Sequence, residues 1–524
     1  MLFSLFFVLG RHISAPQLAG IEKDHMAGEL WNRRHLLQTS MRVAAGAAIT
    51  NTTRLASAGQ FPPPEPLADD RFTLVTTTET SAWQKATVFK PAFSYETLNI
   101  NIDQGHDDSN GKVMEGFGGC FNELGWTSLQ ALNDADRETI LHELFGPSAG
   151  ARFTYCRMPV GANDFSIDAY SYDETDSDFD LKHFSIEHDR KTLVPFIHAA
   201  QRYQPKLRLW ASPWTPPSWM KRNHFYAEGK AREGWKDNGI RPDQIGHEGE
   251  NMFIQNPRYL EAYAKYFGRF IEAYRAEAIN IGMVMPQNEF NSVQNFPSCT
   301  WTPEGLIRFL HYLGPEMEKH DVQIFFGTLE RGNPKLLETV MADEKAARFL
   351  KGVGVQWAGK NSLPVIHRKF PSLAVFQSEQ ECGDGSNSWA YTSYCWQLMK
   401  HYFRSGATGY MYWNISLAKD SFSTWGWKQN SLVSVDVAAK TFRYNHDYYL
   451  LKHLTHFVDV GSRRLDTSGT CDDALTFKNP DGSIAILVRN ESQHPQRIQA
   501  QIQDRSVMIE LPADSIGTLV SRAA

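Results

Sequence analysis

Short apolar runs alternate with helix-like segments between residues 113 and 415 of the chain. Each run has the length of a buried strand and gives way to polar residues, as a parallel strand does where it enters a loop. We therefore predict strands, in chain order, at 113–119, 153–159, 206–212, 280–286, 322–327, 352–357, 373–378 and 408–413.

Helical periodicity fills most of the gaps between these strands. In 257–276, apolar residues recur every three or four positions and Pro257 suits the first turn. Helices are also predicted at 190–203, 303–314 and 392–404, whereas the gap between the sixth and seventh strands is the least helical. Eight successive strand–helix units predict a closed (β/α)8 barrel. An open doubly wound sheet is the alternative, and the missing glycine-rich phosphate turn counts against it.

The two ends of the chain follow a different, alternating pattern that is typical of half-buried strands. Residues 479–482 (Asn-Pro-Asp-Gly) form a hairpin signal between two of these segments, and a helix is predicted at 445–458. The segments concerned are 72–78, 96–103, 474–477, 484–488, 496–502 and 507–511. We predict a β-sandwich side domain built from both chain ends.

The first 58 residues have the pattern of an export signal. Arg33-Arg34 precedes a mildly apolar stretch and Ala56-Ser57-Ala58, which resembles a bacterial twin-arginine signal with its cleavage site. This predicts a periplasmic or secreted protein, with translation starting at Met1 or at Met26; a basic amphipathic helix is the alternative. The domains predicted after the signal are a linker with N-terminal strands (59–112), the barrel (113–445) and a helix with the sandwich (446–524).

Composition narrows the possible functions. The net charge is −6 and basic residues form no block, which argues against nucleic acid as a partner. The longest apolar runs are too short to span a membrane. The six cysteines are scattered, without the spacing of a zinc or redox motif, so buried thiols are expected. We predict no metal and no organic cofactor, and the sequence leaves the oligomeric state open.

The residues that follow the predicted strands indicate where chemistry takes place, because barrel enzymes carry their reactive groups at the carboxyl ends of the strands. In chain order, the predicted strands end at or near Asn122 and Glu123, Arg157 with Asp164 beyond it, Trp214, Asn288-Glu289, Gln356-Trp357, Glu379 with Glu381, and Trp413-Asn414. Glutamates at two strand ends, among tryptophans, asparagines and an arginine, favour glycoside hydrolysis. One carboxylic acid protonates the leaving oxygen, and a second carboxylate attacks the sugar carbon or activates water.

Each residue also has a structural interpretation. A glutamate at a strand end is commonly a solvated loop residue, and Arg157 suits a buried ion pair as well as a catalytic contact. Trp214 and Trp413 fit a packed core as well as a sugar-binding wall.

Five motifs occur in an order that resembles glycoside hydrolase family 30, the family of the glucosylceramidases. They are Gly116-Phe117-Gly118-Gly119, Asp164-Phe165-Ser166, residues 211–219 (Ala-Ser-Pro-Trp-Thr-Pro-Pro-Ser-Trp), Gln287-Asn288-Glu289 and Trp413-Asn414. The resemblance covers residues 72 to 520. It implies a (β/α)8 barrel with a β-sandwich, and hydrolysis of β-glycosides with retained configuration.

The resemblance also implies roles for single residues. Glu289 matches the family's acid/base, and Phe376-Gln377-Ser378-Glu379 matches the stretch that ends in the nucleophile, so Glu379 is the predicted nucleophile and Glu381 the fallback. Asp164, Trp214, Asn288, Trp413 and Asn430 would line the sugar pocket. Arg157 would lie behind the nucleophile, supported by Gln356 and Trp357.

Two departures leave the substrate open. Phe290 stands where the family has proline, and Gln356-Trp357-Ala358 replaces the His-Trp-Tyr of the glucosylceramidases. The first hypothesis is therefore a β-glucosidase acting on glycosides or glycolipids such as glucosylceramide, in sphingolipid metabolism. The alternatives within the family are a β-1,6-glucanase, a β-xylosidase or a β-fucosidase, and outside it a non-catalytic carbohydrate-binding protein.

Overall fold

The computed structural model describes residues 64–91, 97–102, 112–148, 150–420 and 422–523. The predicted export signal, at residues 1–58, lies outside this part of the chain. The strands are β1 Phe72–Thr78, β2 Gln84–Ala86, β3 Val88–Phe89, β4 Leu98–Ile102, β5 Gly116–Cys120, β6 Tyr155–Pro159, β7 Arg208–Ser212, β8 Ile281–Val284, β9 Gln323–Leu329, β10 Leu350–Gln356, β11 Ala374–Glu379, β12 Ala407–Asn414, β13 Ser416–Ala418, β14 Val433–Asp436, β15 Thr441–Tyr444, β16 Arg463–Leu465, β17 Thr467–Gly469, β18 Ala474–Lys478, β19 Ile484–Asn490, β20 Gln496–Ile502, β21 Arg505–Leu511 and β22 Ser515–Ser521. The α-helices are α1 Glu123–Gln130, α2 Asp134–Phe145, α3 Leu193–Gln201, α4 Pro257–Ala276, α5 Pro303–His320, α6 Lys335–Met341, α7 Glu344–Ala347, α8 Leu363–Lys369, α9 Trp389–Arg404 and α10 His446–Thr455.

Strands β5 to β12 close into a parallel barrel, which confirms the (β/α)8 prediction and excludes the open sheet. All eight barrel strands overlap the predicted runs. The weak helical pattern before the seventh strand corresponds to a 3-10 turn at Trp357–Ser362 and the short α8. Because the strands are parallel, their carboxyl ends meet on one face of the barrel.

Large side chains fill the barrel, so it is a packed core rather than a channel. They form one cluster made of Tyr155, Trp210, Met283, Met285, Phe325, Phe376 and Met411. Gly354 leaves room for this cluster, since a Cβ there would lie 2.3 Å from Met285 Sδ. The packing gives the strand ends a rigid floor.

Helix α5 differs from its prediction because it runs past Pro315 to His320 instead of ending at 314. Leu313 and Met317 are both buried on its inner face, so the apolar stripe continues across the proline. Thr302 caps its first turn by accepting a hydrogen bond from Gly305 N.

A β-sandwich is built from both chain ends, as predicted. One sheet has the order β16-β18-β19-β22-β1-β2 and the other β17-β4-β20-β21-β3. The register of β1 on β22 runs from Phe72 opposite Ser521 to Thr78 opposite Ser515. A separate apolar core fills the space between the two sheets, and a small sheet of β13, β14 and β15 follows the last barrel strand.

Within the described ranges, no helix has the length and hydropathy to cross a membrane. The same part of the chain contains no group of three or more His, Cys, Asp or Glu side chains placed to hold a metal ion. All six cysteines are buried free thiols, as the sequence led us to expect.

Candidate active site

Glu379 is the last residue of β11, and a buried arginine on another barrel strand binds its carboxylate. Arg157, on β6, donates from Nη1 to Glu379 Oε2 over 2.7 Å, and its side chain is completely buried. Its Nη2 donates to Ser212 Oγ at 2.9 Å and to Asn288 Oδ1 at 2.6 Å. One guanidinium therefore links the ends of strands β6, β7 and β11 to the segment after β8.

Gln356, the last residue of β10, and Trp357 directly after it complete the surroundings of Glu379. Trp357 donates from Nε1 to Glu379 Oε1 over 3.2 Å. Gln356 accepts from Ser378 Oγ at 2.9 Å and donates from Nε2 to Glu289 Oε1 at 3.3 Å. Gln356 thus contacts the second glutamate and the neighbour of the first.

Glu289 follows β8 in a left-handed backbone conformation with φ of 45°, which is uncommon outside glycine and is found at functional sites. Its backbone N donates to Thr328 Oγ1 at 2.8 Å, and Gln294 Nε2 donates to its Oε2 at 3.3 Å. Burial, with the nearby carboxylates of Glu379 and Glu330, raises the pKa of Glu289 to about 8. Glu289 therefore holds a proton at neutral pH.

Glu379 is in a different electrostatic environment. Burial raises its pKa as well, but the charge of Arg157 and the N–H of Trp357 oppose that rise. The carboxylates of Glu379 and Glu330 raise the pKa of Glu289, whereas the charge of Arg157 opposes the rise in the pKa of Glu379. Glu379 is therefore the first of the two to ionise.

Asn288 lies between the two glutamates. Its Oδ1 accepts from Arg157 Nη2, from Thr328 Oγ1 at 3.2 Å and from Gln356 Nε2 at 3.3 Å. Three donors on the oxygen leave the Nδ2 hydrogens for a ligand.

One side of the site beside the two carboxylates is lined by Asp164, Trp214 and Trp413. The charges of Glu379 and Glu289 add to burial in raising the pKa of Asp164, so its side chain faces both. Its Oδ1 is buried without a hydrogen-bond partner. The Trp214 and Trp413 rings stack 5.3 Å apart, with the Arg157 Cζ 4.4 Å and 5.3 Å from their centroids.

Two other residues named from the sequence, Asn430 and Glu381, bond to neighbouring loop and helix groups. Asn430 is fully buried and its Oδ1 accepts from the backbone N of Gly385 and of Asn387, so it anchors the loop after β11. Its Nδ2 has no hydrogen-bond partner among the described residues, and its contact with a sugar stays a prediction. Glu381 bonds to Lys360 Nζ at 2.6 Å and to Tyr394 OH at 2.7 Å, away from Arg157. The fallback nucleophile is thus part of a separate ion pair.

Asn122 and Glu123, which follow β5, support the site through contacts with neighbouring loops. Asn122 caps α1. Glu123 is buried and accepts from His188, Thr192 and the backbone N of Ile167. These bonds hold the loop that carries Asp164.

Glu330 and Thr328, at the end of β9, contact the Glu289 segment but were not among the predicted site residues. The signal was present, because Glu330 directly follows the fifth barrel strand.

An aromatic rim extends outward from Trp413 and consists of Phe165, Trp427, Trp235 and Phe296. Phe165 packs edge-on against both Trp413 and Trp427 at 6.3 Å, and Trp427 lies 5.1 Å from both Trp235 and Phe296. Gly426, at φ of 112°, lets two loops meet, since a Cβ there would lie 3.0 Å from Trp235 Cβ. The rim continues the pocket wall toward the loop that follows Glu289.

Two buried glutamates at the strand ends of a closed parallel barrel, one protonated and one paired with arginine, define a glycoside hydrolase. The TIM-barrel domain model of glycosyl hydrolase family 30 matches residues 114–458, and that family's beta sandwich domain model matches 461–519. The chain belongs to glycosyl hydrolase family 30 and is a retaining β-glycosidase.

Similar proteins include enzymes with two different substrates in their names. Lysosomal acid glucosylceramidase of Mus musculus is 28% identical over 406 residues, which cover 72% of this chain and 75% of that protein. An endo-1,6-beta-D-glucanase of Aspergillus fumigatus is 24% identical over 425 residues, covering 76% and 82%. SrfJ from Salmonella typhimurium has a TM-score of 0.74 at 21% identity, covering 86% of this chain and 100% of that one. The structural likeness supports the fold.

Proposed function

We propose that this enzyme hydrolyses β-D-glucosides, with Glu379 as the nucleophile and Glu289 as the acid/base. The observation that carries the proposal is the contrast between an arginine-paired Glu379 and a Glu289 whose pKa is raised to about 8. A double displacement needs one carboxylate ionised and the other protonated at the same pH.

In the first step, Glu379 Oε attacks the anomeric carbon while Glu289 gives its proton to the leaving oxygen. The glycosidic bond breaks and a covalent glycosyl–enzyme forms. Once Glu379 is esterified its negative charge is gone, so the pKa of Glu289 falls and its carboxylate accepts a proton from water. The hydroxide adds to the anomeric carbon, releases Glu379 and returns the sugar with its original configuration.

The surrounding side chains suit the ring of one sugar. The Nδ2 of Asn288 is placed to donate to a hydroxyl beside the anomeric carbon, and Asp164 accepts from hydroxyls further round the ring. Trp214 and Trp413 form an apolar wall against the C–H face. Glucose is the proposed sugar because both glucosylceramidases and endo-1,6-β-D-glucanases, by their names, cleave glucosides.

For the leaving group, the aromatic rim favours a second sugar. Trp427 and Trp235 are half-buried, and exposed charged residues surround them, with the Cζ of Arg232 5.0 Å over the Trp235 ring. Aromatic rings among polar groups suit an oligosaccharide, whereas two lipid chains need a continuous apolar surface. Glucosylceramide is the second candidate, because the mouse relative that acts on it is 28% identical.

A screen of purified enzyme tests the proposal. Aryl β-glucoside, β-xyloside and β-fucoside, β-1,6-glucan and glucosylceramide would be compared between about pH 4 and about pH 8, with Glu379→Gln as the control. We expect the glucoside to be the best aryl substrate and β-1,6-glucan to be cleaved faster than the lipid. A faster xyloside or fucoside would contradict glucose as the sugar, and a faster lipid would select the second candidate.

We further propose export through the twin-arginine route, on the basis of Arg33-Arg34 and Ala56-Ser57-Ala58. Replacing both arginines by lysine should leave the full-length protein in the cytoplasm of a bacterial host. Unchanged export of that variant would contradict the proposal.

A further inference from the structure

Glu330 is a buried carboxylate close to the acid/base, Glu289. The mechanism above gives Glu330 no role. We propose that Glu330 is a positioning residue for Glu289: it fixes the segment 289–292 and supplies a negative charge that keeps Glu289 protonated in the free enzyme. This inference rests on the proposed role of Glu289.

The hydrogen bonds show how Glu330 fixes the segment. Its Oε1 accepts from Asn291 N at 3.1 Å and from Ser292 Oγ at 2.9 Å. Ser292 N in turn donates to Glu289 O at 2.9 Å, closing the turn that Glu289 begins. The left-handed backbone of Glu289 is costly for a residue with a Cβ, so it needs such bonds on its C-terminal side.

Thr328 supplies the matching bond on the other side, because its Oγ1 accepts from the backbone N of Glu289. Thr328 and Glu330 are two residues apart at the end of β9. The end of one strand thus holds both flanks of the acid/base.

The carboxylate of Glu330 is shielded from solvent, so its charge acts mainly on neighbouring groups of the site. Its side chain is 1% exposed, and its Oε2 is buried without a hydrogen-bond partner. The neighbouring cation, Arg331, pairs with Glu248, and that pair is partly exposed. Solvent therefore screens the arginine more than it screens Glu330.

The charged groups that face Glu289 come from three other elements. They are Glu379 at the end of β11, Glu330 and Arg331 after β9, and Asp164 in the loop after β6. Burial, Glu379 and then Glu330 raise the pKa of Glu289, and Arg331 opposes them. Burial also raises the pKa of Glu330, to about 7, so its charge develops before Glu289 loses its proton near pH 8.

Because Glu330 ionises before Glu289, the enzyme keeps its activity to higher pH. As pH rises past about 7, ionised Glu330 makes the loss of the Glu289 proton less favourable. A neutral side chain at position 330 would let Glu289 ionise at lower pH. The alkaline limb of activity would then move toward neutral pH.

Glu330→Gln tests the charge, since it keeps the Oε1 acceptor and the side-chain volume. The kcat/KM of an alkyl β-glucoside, whose leaving oxygen needs a proton, would be measured against pH. We expect the alkaline limb to move down by about one pH unit in the variant. With a dinitrophenyl β-glucoside, which leaves without a proton, the profiles of variant and native enzyme should coincide above neutral pH.

Two further variants separate charge from position. Glu330→Asp keeps the charge but shortens the reach, so kcat should fall while the alkaline limb stays in place. Ser292→Ala removes the hydrogen bond to Glu330 Oε1 but no charge, so kcat should again fall while the alkaline limb stays in place. An unmoved limb in a folded Glu330→Gln enzyme would overturn the proposal. If instead Glu289→Gln kept full activity on the alkyl glucoside, the role of Glu289 itself would be wrong.

Discussion

Arg157 Nη1 lies 2.7 Å from Glu379 Oε2, and the arginine side chain is entirely shielded from solvent. A buried guanidinium is costly to desolvate, and here four of its contacts are acceptors at the strand ends. The pair distinguishes Glu379 from Glu381, which is bound to Lys360. The ion pair also places the positive charge of Arg157 beside the carboxylate of Glu379, the proposed nucleophile.

Loss of the nucleophile should abolish turnover. Glu379→Gln is expected to lower kcat by roughly a thousandfold or more, because the covalent step is removed while the fold is kept. Added azide should restore part of the activity of Glu379→Gly and give a product of inverted configuration, seen by NMR. Glu381→Gln is the matched control, and equal losses in the two glutamine variants would refute the assignment.

Breaking the ion pair should affect both stability and pH dependence. Arg157→Met leaves Glu379 buried without its cation, so the free energy of unfolding in urea should fall by about 3–5 kcal/mol. Because Arg157 opposes the rise in the pKa of Glu379, its loss should raise that pKa and move the acid limb of kcat/KM to higher pH. An acid limb that stays in place would show that another group controls it.

The raised pKa of Glu289, about 8, predicts the alkaline side of the native profile. Activity on alkyl β-glucosides should fall as pH rises through about 8, where the acid loses its proton. The stability linked to Glu289 has the same sign: it is full below the ordinary pKa of 4.5 and is lost as pH rises from there through about 8. Urea unfolding at several pH values would show a decline that Glu289→Gln lacks.

The indole of Trp357 should matter through its N–H. Trp357→Phe removes the donor to Glu379 Oε1, so kcat/KM should fall about tenfold, the cost of a hydrogen bond to a charged group. The lost donor had stabilised the ionised form of Glu379, and the acid limb should therefore move to higher pH. Loss of activity with an unmoved acid limb would indicate that Trp357 only packs against substrate.

The aromatic rim should affect oligosaccharides selectively. Trp427→Ala is expected to lower kcat/KM about tenfold on a β-1,6-linked gluco-oligosaccharide and to leave an aryl β-glucoside nearly unchanged. Phe422→Ala is the matched control, because Phe422 lies in the same loop but is 55% exposed and outside the rim. Equal loss of activity on both substrates would exclude a binding role for the rim in the leaving group.

Much of this site follows from one rule, that polar residues after parallel strands converge on one face. The rule located Glu289, Glu379, Arg157 and Trp357 from the sequence. It could not separate Glu379 from Glu381, because both follow the same strand with the same side-chain parity. The structure separates them by their partners, because Arg157 pairs with Glu379 and Lys360 pairs with Glu381.

Loop residues were harder to predict because their positions depend on contacts distant in sequence. The Oδ1 of Asn430, for example, accepts from the backbone of a loop more than forty residues earlier in the chain, and no sequence pattern indicated that contact. The aromatic rim depends on loops after four different strands packing together. Neither periodicity nor spacing encodes such packing.

The pairing of β1 with β22 has a consequence for how the protein is made. The ribosome synthesises Phe72–Thr78 long before Ser515–Ser521, and the whole barrel is translated in between. At about 5–20 residues per second, β1 waits for its partner for a time on the order of a minute. During that time the side of β1 that will pair with β22 is an open edge, able to pair with other chains. The barrel can form during translation, but the sandwich is completed only when the last strand leaves the ribosome.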